Sequence, residues 1–281
     1  MVRRLLRIAL LVVGVAVLFV LVRNVGVATI AGLLRQVGWA FLVVSALYFT
    51  HVCVRAAALW RVTGGLRYRD VLRIRLYGEA VEMLTFTGPF LAEPTKGVML
   101  TRHGLSRADA IRGVGLEYGL YTLTSAWMAV FALSLLVSTH ALPAALHQPV
   151  LFVIGGMIVV TVAAAIAAAT GRVPIGAARG AEVIAIEFLG QALLAAEIFV
   201  TVRVLGYAFT SLQSVLVEGA VKFISVAFFF VPGQIGAQES VYTLIFQAMG
   251  LPGAVGLTMA LVRRVRALIV AAIALAVTYG L

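Results

Sequence analysis

The chain has 281 residues, 63% of them hydrophobic and 12% charged, against about half apolar and about a quarter charged in an average soluble domain. That excludes a soluble globular protein and a disordered one. Only several transmembrane helices, each about 20 apolar residues long, use so much apolar sequence. The 22 Lys and Arg against 11 Asp and Glu, formally +11, read as basic cytoplasmic loops under the positive-inside rule rather than as a nucleic-acid surface. The single cysteine, Cys53, excludes an intramolecular disulfide and a multi-cysteine metal site.

In chain order, Arg3, Arg4 and Arg7 precede an apolar run from Ile8 to Val22. No small-residue cleavage site follows directly, so a first helix over 5–22 is expected, with its N-terminus inside. A second helix runs about Val37 to Trp60; Trp39 and Trp60 lie about 32 Å apart at helical rise and mark two interfaces. The following segment holds Arg61, Arg67, Arg69, Arg73 and Arg75 and is expected in the cytoplasm. The next apolar piece, Leu76 to Leu91, is short, contains Glu79 and Glu82, and breaks at Gly88-Pro89. Another basic stretch follows it, Lys96 to Arg112. Positive loops on both sides of a short broken segment point to a re-entrant hairpin, which is tolerated at membrane depth only inside protein or along a polar cavity.

Ser106 reads as an N-cap, opening a helix to about Val137. The uncharged loop 138–149 is expected outside, and 150–170 spans back. Arg172 and Arg179 mark a short inner loop. Ala181 to Leu205 is a span holding Glu182, Glu187, Gln191 and Glu197. Leu212 to Val231, with Glu218 and Lys222, breaks at Pro232-Gly233. A short helix to Gly250 and a last helix from Pro252 complete the chain. The expectation is an all-α polytopic membrane protein forming a single transmembrane domain over 1–281. It has about six spanning helices and two re-entrant hairpins.

The two halves resemble each other. Glu93 is followed eleven residues later by Gly104-Leu105-Ser106, and Glu239 eleven residues later by Gly250-Leu251-Pro252. Continuing, Glu117 falls opposite Arg263. Upstream, Arg61-Val62-Thr63-Gly64 resembles Arg203-Val204-Leu205-Gly206. Repeats over about 37–138 and 181–281 would run in opposite directions through the membrane, because the charge rule turns their first helices opposite ways. Inverted repeats with broken helices are the signature of transporters that alternate access to a central site.

Charged groups inside spans are functional candidates. Glu117 and Arg263 each lie about 16 Å into their helices, where they would approach each other as a structural ion pair or as a headgroup or ion site. Glu93 and Glu239 follow the breaks, so each is either a helix cap or a group for proton coupling or a cationic headgroup. Glu79, Glu82, Glu218 and Lys222 line the approach segments. Gln at position 239 is expected to abolish transport while leaving the fold intact. His51, His103, His140 and His147 are scattered, and no metal or other cofactor is expected. No GxxxxGK[ST], GxSxG or HExxH motif occurs.

At Phe228 to Ser240 the sequence resembles the transmembrane region of lysylphosphatidylglycerol synthase, the multiple peptide resistance factor flippase domain. That family includes stand-alone flippase-like membrane proteins of hopanoid gene clusters. The late motif P-G-x-x-G-x-x-E matches Pro232, Gly233, Gly236 and Glu239. The early motif P-x-x-[GA]-E-x-x-[RK] matches Pro89, Ala92, Glu93 and Lys96, directly after Gly88. An acidic residue in the next helix matches Glu117, and a late Arg matches Arg263. Phe90 and Leu91 stand where many relatives carry a basic residue, Tyr118 follows Glu117 in place of Arg, and Pro94 is unusual.

The resemblance covers about 5–281 and includes no cytosolic aminoacyl-transferring domain. It implies lipid translocation across the bacterial inner membrane, with N- and C-termini in the cytoplasm. The partners it implies are membrane lipids and not nucleic acid, with a homo-oligomer or envelope-biogenesis proteins as further candidates. Two other readings stay open: a membrane-embedded enzyme acting on lipid headgroups, and a lipid-binding envelope-assembly protein that moves nothing.

Overall fold

The computed structural model of the chain describes residues 19, 20, 23, 26–85, 88–138, 147–170, 175–227 and 234–278. The expected first helix over 5–22, most of the 138–149 loop, Arg172 and the Pro232-Gly233 break lie outside or largely outside them. The described residues form ten helices. These are α1 (Val27–Val37), α2 (Ala40–Thr63), α3 (Tyr68–Leu84), α4 (Pro89–Arg102) and α5 (Arg107–Ser138). The second set is α6 (His147–Ala169), α7 (Ala177–Val204), α8 (Ser211–Ala227), α9 (Ala237–Ala248) and α10 (Gly253–Thr278).

Local sequence explains most boundaries. Ser106 caps α5: the Asp109 N–H donates to Ser106 Oγ at 3.1 Å, and the Ser106 hydroxyl returns a bond to Asp109 Oδ2 at 2.6 Å. Two boundaries differ from the sequence reading. Helix α1 was not expected; it is an eleven-residue amphipathic turn of chain between Gly26 and Gly38, both at positive φ. Helix α3 starts at Tyr68, so the basic segment assigned to a loop supplies its first turns.

Among the described residues three helices are both long and apolar enough to cross a bilayer: α2, the 107–136 part of α5, and α7. Helix α10 is as long but carries Arg263, Arg264 and Arg266. Helices α3 and α4, of 17 and 14 residues, reach only about 26 and 21 Å.

Helices α2 and α7 pack antiparallel along their whole length. At one end Arg61 pairs with Glu182 at 2.5 Å and midway His51 Nδ1 meets Gly190 O at 2.8 Å; beyond the other end of α2, Gln36 of α1 donates to Val204 O. Helix α5 packs on α8, and α10 packs on α3. The short helices α4 and α9 lie against α5 and α10 respectively. One apolar core joins α1, α2, α7, α8, α9 and α10 around Val44, Ile198, Tyr242 and Phe246. A second, around Leu59, Ile74 and Leu100, holds α2 to α5 together.

Helix α6 packs along α5, where Trp127 donates to Thr161 at 3.0 Å, and turns Phe152, Val159, Val160 and Ile166 outward. Apolar side chains thus cover much of the outside while a set of charged ones is buried inside. That inverts the arrangement of a soluble protein and suits a lipid surround.

Candidate functional site

The interior holds two groups of buried charges. The first is centred on Glu117, fully buried on α5. Its Oε1 accepts from Arg55 Nη2 of α2 at 2.6 Å and from Arg75 Nη1 of α3 at 3.2 Å; its Oε2 lies 3.6 Å from Lys96 Nζ of α4. Arg75 also donates to Glu79, four residues on, at 2.5 Å, and Lys96 binds Glu93 at 2.7 Å. These spacings put each pair on one helix face. Gly78 matters here: a Cβ on it would stand 2.8 Å from Lys96 Cγ, in the path by which that side chain crosses α3.

The second group is centred on Arg263 of α10. It pairs with Glu218 of α8 at 2.7 Å and Glu197 of α7 at 3.3 Å, and donates to Tyr242 Oη at 2.5 Å and to Leu194 O at 2.7 Å. Arg266 grips both oxygens of Glu197, a bidentate pairing available to Arg but not to Lys. Lys222 lies 3.4 Å from Glu218.

Two tyrosines join the groups. Arg55 stacks 3.5 Å over the ring of Tyr121, whose hydroxyl accepts from Lys222 at 2.8 Å. Arg266 stacks 3.6 Å over Tyr48, whose hydroxyl donates to Glu79 at 3.0 Å. Such stacking contributes about 2 kcal/mol or more away from water. The result is one polar network through an apolar bundle. Single buried charges there would be expensive, so each charge of the network is matched by an opposite one, Glu187 on α7 lying beside it.

The sequence-derived candidates fall into this picture unevenly. Glu117 and Arg263 do not pair with each other; each is the centre of its own group, with α2 and α7 supplying its counter-charges. Glu79, Glu93, Glu218 and Lys222 all join the network. Glu82 lies half-buried on α3, next to the network rather than in its pairs.

Glu93 does not cap a helix. It lies in the second turn of α4, whose N-cap is Gly88 (φ +51) with Pro89 at the first helical position. Glu239 does cap: its Oε2 accepts the Gly236 N–H at 2.8 Å at the start of α9. Its Oε1 pairs with Arg264 at 2.6 Å. Glu239 therefore has two structural partners, and a Gln there would have to give up one of them. Pro232 and Gly233 lie outside the described residues.

Arg55, Arg75 and the three tyrosines escaped the sequence reading. Arg75 was placed in a cytoplasmic loop and Lys96 in a basic stretch, yet they are 1% and 2% exposed. The available signals were Arg55 in the middle of an apolar run and the Arg75–Glu79 spacing. Among the described residues no three His, Cys, Asp or Glu side chains converge as a metal site. A cavity of about 350 Å³ between the α2–α3 and α4–α5 turns is lined by Thr63, His103, Ser106 and Asp109. None of the network residues lines it.

The sequence matches the lysylphosphatidylglycerol synthase TM region over residues 5–274. No curated protein matches the chain.

Proposed function

The chain belongs to the lysylphosphatidylglycerol synthase transmembrane-region family, and from that premise we propose that it is a lipid transporter. It would move a polar headgroup across the bacterial inner membrane while the acyl tails stay in hydrocarbon. The observation that carries this reading is the continuous network of buried charges inside an apolar helical bundle. A charged headgroup crosses such an interior by exchanging its own charges into existing pairs. Its phosphate meets the guanidinium groups of Arg55, Arg75 and Arg263, and any ammonium meets Glu79, Glu93, Glu117 or Glu218. The protein then supplies the contacts that water gave.

The inverted repeat is part of this proposal, and its support is a charge-reversed correspondence. Aligning Arg61 with Arg203 sets Arg55 against Glu197. Helices α3 and α8 have 17 residues each; their eighth residues are Arg75 and Glu218, their twelfth Glu79 and Lys222. Glu117 stands opposite Arg263. Three ion pairs of the first half then recur in the second with both signs exchanged. Arg55–Glu117 corresponds to Glu197–Arg263, Arg75–Glu117 to Glu218–Arg263, and Arg75–Glu79 to Glu218–Lys222. Helix packing follows the same rule, since α3 on α10 corresponds to α8 on α5, and α2 on α7 to itself. Rocking one half against the other would then open the network to either side in turn.

The test is leaflet exchange of fluorescent phosphatidylglycerol in phosphatidylethanolamine–phosphatidylglycerol vesicles, read by external quenching. Wild type should accelerate exchange. The double variant Glu93→Gln/Lys96→Gln removes both charges of one pair together, which spares the fold, and should slow exchange about tenfold, equal to about 1.4 kcal/mol of barrier. Wild-type exchange no faster than in protein-free vesicles, across a panel of headgroups, would sink the reading.

A further inference from the structure

Resting on that transport reading, we propose that Glu187 is the site of the proton that couples lipid movement to a pH gradient. Glu187 is on α7, 1% exposed, and stands apart from the other buried carboxylates. Among the described residues neither of its oxygens has a hydrogen-bond partner. Its nearest cation is Arg55, whose Nε lies 3.6 Å from Oε2, outside hydrogen-bond range. Arg55 already donates from Nη2 to Glu117 at 2.6 Å.

One turn along α7, Gln191 donates through Nε2 to Ser125 Oγ at 2.7 Å, and its own Oε1 is buried without a partner. Three acceptor oxygens therefore lie on one face of α7 without a hydrogen bond, and the donor set against them, Arg55 Nε, is itself unbonded at 3.6 Å. A proton supplies what is missing: it turns one carboxylate oxygen into an O–H donor and removes a charge that is offset only by Arg55, which Glu117 already binds. A metal cation is disfavoured there by the Arg55 guanidinium.

The charge-reversed halves single out the same residue. The alignment that sets Arg55 against Glu197 sets Glu187 against Ser45, so this carboxylate has no opposite number in the first half. The titratable and charged groups on the helices packed around α7 already have other commitments. On α2, His51 meets Gly190 O and Arg55 binds Glu117. On α5, Tyr121 accepts from Lys222 of α8, which with Arg263 of α10 neutralises Glu218. Arg266 of α10 binds Glu197, and Arg264 binds Glu239. Arg35 of α1 is at that helix's last turn. In the transport cycle the proton would bind a Glu187 oxygen from water on one side, forming the O–H bond, and leave to water on the other, restoring the carboxylate.

Infrared spectra of the full chain in lipid nanodiscs test the site without any transport assay. Wild type at neutral pH should show a protonated-carboxyl C=O band that is lost in Glu187→Gln and shifted in Glu187→Asp, the second variant serving if the first fails to fold. In the vesicle assay, an imposed pH gradient should bias the leaflet distribution of fluorescent phosphatidylglycerol for wild type, and the bias should vanish in Glu187→Gln and persist, weakened, in Glu187→Asp. Absence of the band overturns the proposal and leaves Glu187 as an ionised partner of Arg55. A band together with lipid exchange indifferent to the gradient overturns the coupling. A band with no lipid movement at all sinks the transport reading instead and leaves Glu187 as a protonated site.

Discussion

Replacing Glu117 by Gln tests the electrostatic account of the interior. The carboxylate is fully buried and has three cations within 4 Å. An amide of the same shape keeps one acceptor but removes the charge. The three cations then differ in what remains to them. Arg75 keeps Glu79 at 2.5 Å and Lys96 keeps Glu93 at 2.7 Å. Arg55 keeps its stacking on Tyr121 but no carboxylate nearer than Glu187 at 3.6 Å. The variant thus strands one buried guanidinium, and breaking a buried pair in that way costs about 3–5 kcal/mol.

At about 2–4 °C per kcal/mol for a chain of this size, the thermal midpoint should fall by about 10 °C. The assay is scanning fluorimetry of protein in nanodiscs. Adding Arg55→Gln removes the stranded charge and should recover most of the loss, giving a coupling of at least about 2 kcal/mol in the double-mutant cycle. A Glu117→Gln midpoint within about 2 °C of wild type, or a double variant no better than the single, would refute the argument, because stranded charge would then not be what the interior resists.

Two further substitutions probe the frame around the network. A Cβ at Gly219 would stand 2.4 Å from Met128 O and 2.6 Å from Ala132 Cβ, so Gly219→Ala forces α8 off α5 and should destabilise by about 1–3 kcal/mol in thermal melts; Gly115, with nothing within 4 Å of such an atom, is the matched control and should tolerate Ala. Glu239→Gln can cap Gly236 or bind Arg264 with its one carbonyl oxygen, not both, and should cost about 2 kcal/mol; hydrogen exchange should show faster exchange at the Gly236 and Ser240 amides, and unchanged protection there would remove the capping role.

How far the site was legible depends on the kind of signal. Glu93, Glu117, Glu239 and Arg263 stand out because charge inside an apolar run has few explanations, and each turned out to be buried or paired. Arg75 and Lys96 were misplaced because a basic residue near other basic residues looks like a loop. Tyr48, Tyr121 and Tyr242 gave no signal at all, since aromatic residues are ordinary in membrane helices. Their hydroxyls and ring faces acquire a role only when a cation from another helix is set against them.

Composition alone determined that this is an all-helical membrane protein: backbone polar groups in hydrocarbon must be satisfied within each segment, and 63% apolar residues leave no other solvent for them. Sequence also determined where three of the helix breaks fall, through Gly88 and Pro89, Ser106, and Gly250. Tertiary structure decided which charges meet. Glu117 and Arg263 lie at similar depths in their own helices, yet α2 brings Arg55 to one and α7 brings Glu197 to the other, so each is neutralised by a helix more than fifty residues away. Pairing depends on which faces of distant helices are pressed together. That is set by apolar packing around residues such as Val44, Ile198 and Phe246, and not by the spacing of the charges along the chain.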